Sequence, residues 1–211
     1  YKKDGYGVIR KAISSELINF IYDYFLLKRE AAFWVNKNNI THVLLGTWKD
    51  KQVPDTYSIY GDTVMETVLI KFIPRLQKET GLELVPTYSY ARLYKKGDIL
   101  HRHKDRSSCE VSITLHIGGD PWPIFIDPTG KSNSPEGKKI LLEIGDMLIY
   151  NGCDLEHWRE TFQGNTCGQV FLHYNNVNGP FGLENKFDKR SILGIPPPNK
   201  NWNYESFDGI K

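Results

Sequence analysis

His103, Asp105 and His157 are the side chains of this 211-residue chain whose types and spacing could hold a metal ion. His103-Lys104-Asp105 is an H-x-D tripeptide. Alternate side chains of a strand share a face, so on a strand the tripeptide aims an imidazole and a carboxylate at one point. His157, from another strand, would complete a set of two nitrogens and one oxygen. Such a facial set leaves three positions open, which lets iron(II) hold a bidentate keto acid and then dioxygen. A closed zinc site would use four protein ligands. The tripeptide alone says little, because 6 histidines among 25 acidic residues generate it by chance. The run His101-Arg102-His103-Lys104-Asp105 also reads as a solvated charge cluster.

The elements around these residues say more. Tyr94-x-x-Gly97-x-x-Leu100-x-x-His103-x-Asp105 reads as a strand, a glycine turn and a second strand that delivers the pair. Gly145-Asp146-Met147-Leu148-Ile149-Tyr150 reads as a turn with apolar alternation behind it, ahead of His157. The first stretch is similar to the Y-x-x-G-x-x-[YFL]-x-x-H-x-D signature of the prolyl 4-hydroxylase-like branch of 2-oxoglutarate/iron(II) oxygenases. The second resembles the later half of that pattern, and the resemblance covers 86–174. It implies a double-stranded β-helix, a distorted jelly roll, with Fe(II) on His103, Asp105 and His157. It further implies O2 and 2-oxoglutarate as co-substrates, release of succinate and CO2, and hydroxylation of a substrate, with ascorbate a further candidate cofactor. Prolyl residues of a protein or peptide, or a small molecule, are the substrate classes it leaves open.

One departure from that pattern concerns the co-substrate. Related enzymes carry an Arg or Lys about ten residues beyond the distal histidine to bind the far carboxylate of 2-oxoglutarate, and here 164–169 contains no basic residue. A buried dicarboxylate needs a charged partner, and a planar guanidinium matches it best. Arg159 follows His157 by two residues and should emerge on the same strand face; the competing reading is a solvent-facing arginine after a turn. Tyr94 and Gln169 could add neutral hydrogen bonds, and His116 stands where the family often puts a co-substrate-binding tyrosine. Arg92, sharing a face with Tyr94, is the alternative anchor or a substrate contact. His101 is expected outside the ligand set, because a third imidazole would crowd out dioxygen. Trp122 and Trp158 read as core, and Tyr57, Tyr60 and Tyr88 as weaker pocket candidates.

The fold class expected is α+β, mainly β. A helix capped by Ser14 or Ser15 places Leu17, Ile21, Tyr24 and Phe25 on one face. A second, capped by Asp62 and stopped by Gly81, carries Val64, Val68, Leu69, Phe72 and Leu76, with Pro74 placed to kink it. The polar stretch 48–60 between them reads as an ordered loop. Short β runs follow at 88–94, 111–117, 124–127, 140–144, 147–150 and 169–174, a texture that suggests a sandwich or jelly roll. One domain over 1–211 is expected: a helical support layer at 1–85, a jelly-roll core at 86–176 and a C-terminal wrap at 177–211.

With 27 basic and 25 acidic residues the net charge is +2, which gives no general pull toward nucleic acid or an anionic membrane. No apolar run approaches the ~20 residues of a membrane span, and no charged-then-apolar leader is visible from Tyr1. Cys109, Cys153 and Cys167 are an odd number without a CxxC pair, so free thiols in a reducing compartment are expected. A soluble, cytoplasmic protein is the reading. Two other functions fit the same residues: a cupin-like metal- or ligand-binding module without catalysis, and a zinc hydrolase in which Glu156 serves as general base.

Overall fold

A computed structural model of the chain describes residues 1–38, 43–131 and 136–196. Strand β1 (Tyr6–Ile9) and helix α1 (Ser15–Lys37) come first, followed by β2 (Tyr57–Tyr60) and helix α2 (Thr63–Thr80). The remaining strands are β3 (Leu84–Lys95), β4 (Leu100–His103), β5 (Val111–Gly119), β6 (Ile124–Ile126), β7 (Lys138–Ile140), β8 (Met147–Asn151), β9 (His157–Arg159) and β10 (Thr166–Asn176). They form two antiparallel sheets, one in the order β1-β8-β5-β10-β3-β2 and the other β4-β9-β6-β7.

Local chemistry sets the helix ends as expected. Ser14 Oγ accepts from Leu17 N, while Asp62 Oδ1 accepts from Val64 N at 2.9 Å and Met65 N at 3.2 Å. α2 runs through Pro74 and stops at Gly81, whose left-handed φ of 76° suits a residue without Cβ.

The large sheet has two chemically distinct faces. Ala91 and Leu93 of β3, Ile113, Leu115 and Ile117 of β5, and Val170 and Leu172 of β10 pack toward the helices. There they meet Ile18, Ile21 and Phe25 of α1, and Met65, Leu69, Phe72 and Leu76 of α2. Each such fully buried aliphatic or aromatic side chain contributes roughly 1.5–3 kcal/mol. The alternate residues point the other way: Tyr88, Tyr90, Arg92 and Tyr94 of β3, and Phe171 and His173 of β10, line a cavity. The core therefore holds the sheet against the helices, and the opposite face is left for polar chemistry.

Three elements differ from the sequence reading. β2 lies inside the expected loop, because Tyr57 and Ile59 alternate into the helix-side core while Ser58 pairs with Arg92. β1 was not expected, and it extends the sheet by pairing with β8. β7 ends at Ile140, where a strand over 140–144 was expected; the chain after it bends toward Gly145-Asp146, and the Asp146 carboxylate accepts from Glu143 N at 2.9 Å. Within the expected C-terminal wrap, residues 177–196 include the short turn Lys186–Lys189, and 197–211, with Pro197 and Pro198, lie outside the described residues. Cys109, Cys153 and Cys167 are unpaired. No described helix is long and apolar enough to cross a membrane.

Candidate metal and co-substrate site

β4 and β9 pair so that His103 stands opposite His157 and Leu100 opposite Arg159. His103 Nδ1 lies 2.7 Å from His101 O, and His157 Nδ1 lies 3.0 Å from Leu155 O. Each ring thus donates its Nδ1 proton to a backbone carbonyl two residues earlier, which fixes the tautomer and leaves both Nε2 atoms unprotonated. Asp105 Oδ1 lies 3.5 Å from His157 Nε2 and 3.7 Å from His103 Nε2. One ligand atom from each of the three residues falls within 4.8 Å of the others. Two imidazole nitrogens and one carboxylate oxygen are the donor set of non-haem iron(II) sites.

Strand alternation does not deliver Asp105, contrary to the sequence argument. β4 ends at His103, and Asp105 lies beyond it. Its backbone N–H donates to Gly152 O at 2.9 Å, and its Oδ2 accepts from Ser112 Oγ at 2.8 Å. A Cβ at Gly152 would sit 2.5 Å from that Oδ2, so the carboxylate's position requires a glycine there. Ser112 Oγ also lies 3.0 Å from His173 Nδ1, so Ser112 and His173 turn Oδ2 away and present Oδ1 to the imidazoles. Burial works to raise the Asp105 carboxyl, but the adjacent His157, reinforced by His173 and the Ser112 hydrogen bond, holds it below the usual carboxylate range. Burial, and then His157, push His103 toward its neutral, ligating form.

Arg159 has no solvent-facing role. It is 1% exposed, and its Nη1 donates to Trp122 O with the guanidinium 5.1 Å from the Trp122 ring. Nε and Nη2, the two donors of one guanidinium edge, have no partner among the described residues. Burial lowers its pKa, but a guanidinium stays charged. A buried cation with an empty bidentate edge is costly unless an anion completes it. Arg92 differs. It too is buried, but Nη2 reaches Asp50 Oδ2 at 2.6 Å and Gln52 Oε1 at 3.1 Å, and Nη1 reaches Tyr94 OH at 3.1 Å. Asp50 already neutralises it.

The cavity beside the triad has a volume of about 280 Å3 and is lined by Tyr94 and Tyr150, both electrostatic neighbours of Arg159, which itself is not among the lining residues. Tyr94 is fully buried. Gln169 is buried as well, its amide oxygen accepting from Thr114 Oγ1 at 3.0 Å and its amide nitrogen reaching Cys167 Sγ at 3.2 Å. His116 does not join them. Its ring nitrogens lie 3.0 Å from Leu142 O and 3.1 Å from Gly118 O, so it is a core histidine; burial favours the neutral ring, which donates to one of the two carbonyls. His101 is exposed, Trp122 is buried and Trp158 stacks on Phe125. Of the three tyrosines, Tyr88 lines the cavity, Tyr60 stacks on Tyr88, and Tyr57 belongs to the helix-side core.

Sequence reasoning missed Tyr150, Ser112, Gly152 and the 50–52 segment. The alternation of β5 and β8 could have flagged Ser112 and Tyr150. Tyr150 packs edge-on to His157 at 4.7 Å, and burial keeps its phenol protonated, hence a donor. Gln52 Nε2 lies 3.2 Å from His103 Nε2, a hydrogen bond that competes with a metal for one lone pair. Glu156 accepts from Arg102 Nε at 2.6 Å and is not among the residues lining the cavity beside the triad.

No family model matches the sequence, and no curated protein matches it. Solved structures do match. A prolyl-4-hydroxylase from Pseudomonas putida is similar at a TM-score of 0.56 and 12% identity, over 82% of this chain and 94% of that one. HygX from Streptomyces hygroscopicus, with nickel, 2-oxoglutarate and hygromycin B bound, is similar at 0.57 and 13%, over 83% and 84%. The non-heme alpha ketoglutarate dependent epimerase SnoN from nogalamycin biosynthesis is similar at 0.61 and 9%, over 84% and 80%. The chain thus shares its fold with prolyl-4-hydroxylase and other 2-oxoglutarate/Fe(II) oxygenase structures.

Proposed function

We propose that the chain is an iron(II)- and 2-oxoglutarate-dependent oxygenase built on a double-stranded β-helix, with 86–176 as its core and the helices of 1–85 as support. The observation that carries this is the unpartnered Nε/Nη2 edge of Arg159, two residues from His157 and inside the same sandwich as the three converging donors. His103, Asp105 and His157 hold the metal. Iron(II), when bound, supplies the redox chemistry that couples O2 reduction and 2-oxoglutarate decarboxylation, with release of succinate and CO2, to hydroxylation of a substrate. Arg159 takes the far carboxylate of 2-oxoglutarate through its free edge, and Tyr94 and Tyr150 donate to the co-substrate from the cavity wall. Gln169 and Thr114 close the wall behind it. Arg92, held by Asp50, faces the substrate end with Tyr88, Tyr90 and Arg106.

Anaerobic titration tests the reading. Fe(II) plus 2-oxoglutarate should give a weak visible charge-transfer band, which forms only when the keto acid chelates the metal. Absence of the band with metal bound would leave a metal-binding module without this chemistry. Peptidyl proline and small polar molecules are the substrate classes to assay by succinate release. The first follows from the likeness to a prolyl-4-hydroxylase, the second from HygX, whose structure holds hygromycin B.

A further inference from the structure

The cavity wall holds a second group of metal-binding side chains. One ligand atom each of Asp105, Cys109 and His173 lies within 4.8 Å of the others. All three residues line the cavity, and Cys109 and His173 are 1% and 5% exposed. Ser112 has one hydroxyl proton, and its Oγ lies 2.8 Å from Asp105 Oδ2 and 3.0 Å from His173 Nδ1. The anionic carboxylate is the stronger acceptor and takes that proton, so His173 Nδ1 carries a proton of its own and donates to Ser112 Oγ. Burial lowers the His173 pKa to about 4, so the ring is neutral and its lone pair is on Nε2. Nε2 makes no hydrogen bond among the described residues. Cys109 Sγ lies 3.0 Å from Tyr88 OH, and the Tyr88 ring packs on His173 at 4.5 Å. Burial, and then Asp105, raise the Cys109 thiol, which keeps its proton until a cation displaces it.

We propose that Asp105, Cys109 and His173 form a second cation site, for a thiophilic d10 ion such as Zn(II) or Cd(II). A thiolate, an imidazole and a carboxylate are a zinc donor set. Zinc bonds of about 2.0–2.3 Å space tetrahedral ligand atoms about 3.3–3.8 Å apart, so small side-chain rotations close the present separation. Iron(II) suits the side with His103 and His157, and a softer ion suits the thiolate. The Tyr88 hydroxyl is placed to donate to that thiolate once the proton has left. The site depends on the proposed iron ligands only through Asp105, whose two oxygens face different neighbours. Oδ1 lies 3.5 Å from His157 Nε2, and Oδ2 accepts from Ser112 on the His173 side.

Cd(II) titration of the full chain tests this, read by ultraviolet thiolate-to-cadmium absorption and by metal retained after desalting. The wild type should bind two Cd(II) and show the band. Cys109→Ser, a near-isosteric change, and His173→Ala should each lose the band and keep one Cd(II). Cys153→Ser should keep the band, since that thiol donates to Arg106 O at 3.2 Å instead. The double variant His103→Ala/His157→Ala should bind one Cd(II) with the band intact. A band that survives Cys109→Ser or His173→Ala, or that vanishes in the double variant, overturns the second site. So does a wild type that binds one Cd(II) without a band. One Cd(II) with the band in wild type and double variant alike would leave this site standing and remove the ligand set of the first.

Discussion

His157 and Arg159 stand one pleat apart on β9, His157 across from His103 and Arg159 across from Leu100 on β4. A three-residue strand therefore carries both a metal-ligand candidate and the least exposed arginine of the described residues. Arg159 leaves Nε and Nη2 without partners among the described residues, so under the proposed function a ligand completes this cation.

Arg159→Ala should weaken 2-oxoglutarate binding at least thirtyfold, since losing one partner of a desolvated charge pair costs about 2–5 kcal/mol. Metal affinity should be nearly unchanged. Arg159→Lys should recover part of the loss, because an ammonium lacks the fork. Arg159→Met should raise the stability of the ligand-free protein by about 1–4 kcal/mol by removing an uncompensated buried charge. Calorimetric titration with Mn(II) in place of iron, alongside urea unfolding, reads both effects. A normal 2-oxoglutarate constant for Arg159→Ala together with a large loss in Arg92→Ala would move the anchor to Arg92.

His103→Ala, Asp105→Ala and His157→Ala should each abolish tight metal binding while the far-ultraviolet spectrum stays native. Each removes one of three converging donors and leaves the helix-side core untouched. Metal content after dialysis against Fe(II) or Co(II) is the measurement, and full loading in two of the three variants would refute the ligand set.

Ser112→Ala should lower metal affinity by about 10–100-fold, the usual effect of losing a group that orients a ligand. The hydroxyl bridges Asp105 Oδ2 and His173 Nδ1, and without it the carboxylate can rotate. Competition with a chelator gives the affinity, and a wild-type value would show that Gly152 and the backbone suffice to hold Asp105.

Asp188, paired with the cavity-lining Arg106, makes acid stability measurable. Arg106 Nη1 and Nη2 each lie 2.6 Å from its two oxygens, and Ser108 and Tyr60 also donate to it. Burial raises the carboxyl, but Arg106, Tyr60 and Ser108 bring it down from 3.8 to about 2. A carboxyl depressed in the folded state stabilises fully above its unfolded value, and that stability fades as pH falls from about 4 toward about 2. With Arg106 half-exposed, the contribution is about 1 kcal/mol. Asp188→Asn keeps the left-handed φ of 56° within an allowed range. It should cost about 1 kcal/mol at neutral pH and converge with wild type near pH 2 in pH-dependent unfolding.

The helices, most of the strands and the identity of the three converging side chains are legible in the residue order alone. Local rules suffice for these: Asp62 and Gly81 bracket α2, and the alternation of β3, β5 and β10 separates an apolar from a polar face. Arg159 was legible for the same reason, through its two-residue offset from His157. How Asp105 reaches the site emerges from the packed fold, because Gly152 and Ser112 are distant in sequence and act by close approach. That fold alone separates Arg92 from Arg159, since an arginine's availability depends on its partners, and Asp50 arrives from a segment that read as a loop. The packing of β5 beside β8 placed His116 against two backbone carbonyls, a contact no spacing reveals. β2 likewise gained its strand from its neighbour β3, as an edge strand's pairing is a property of the sheet rather than of its own four residues.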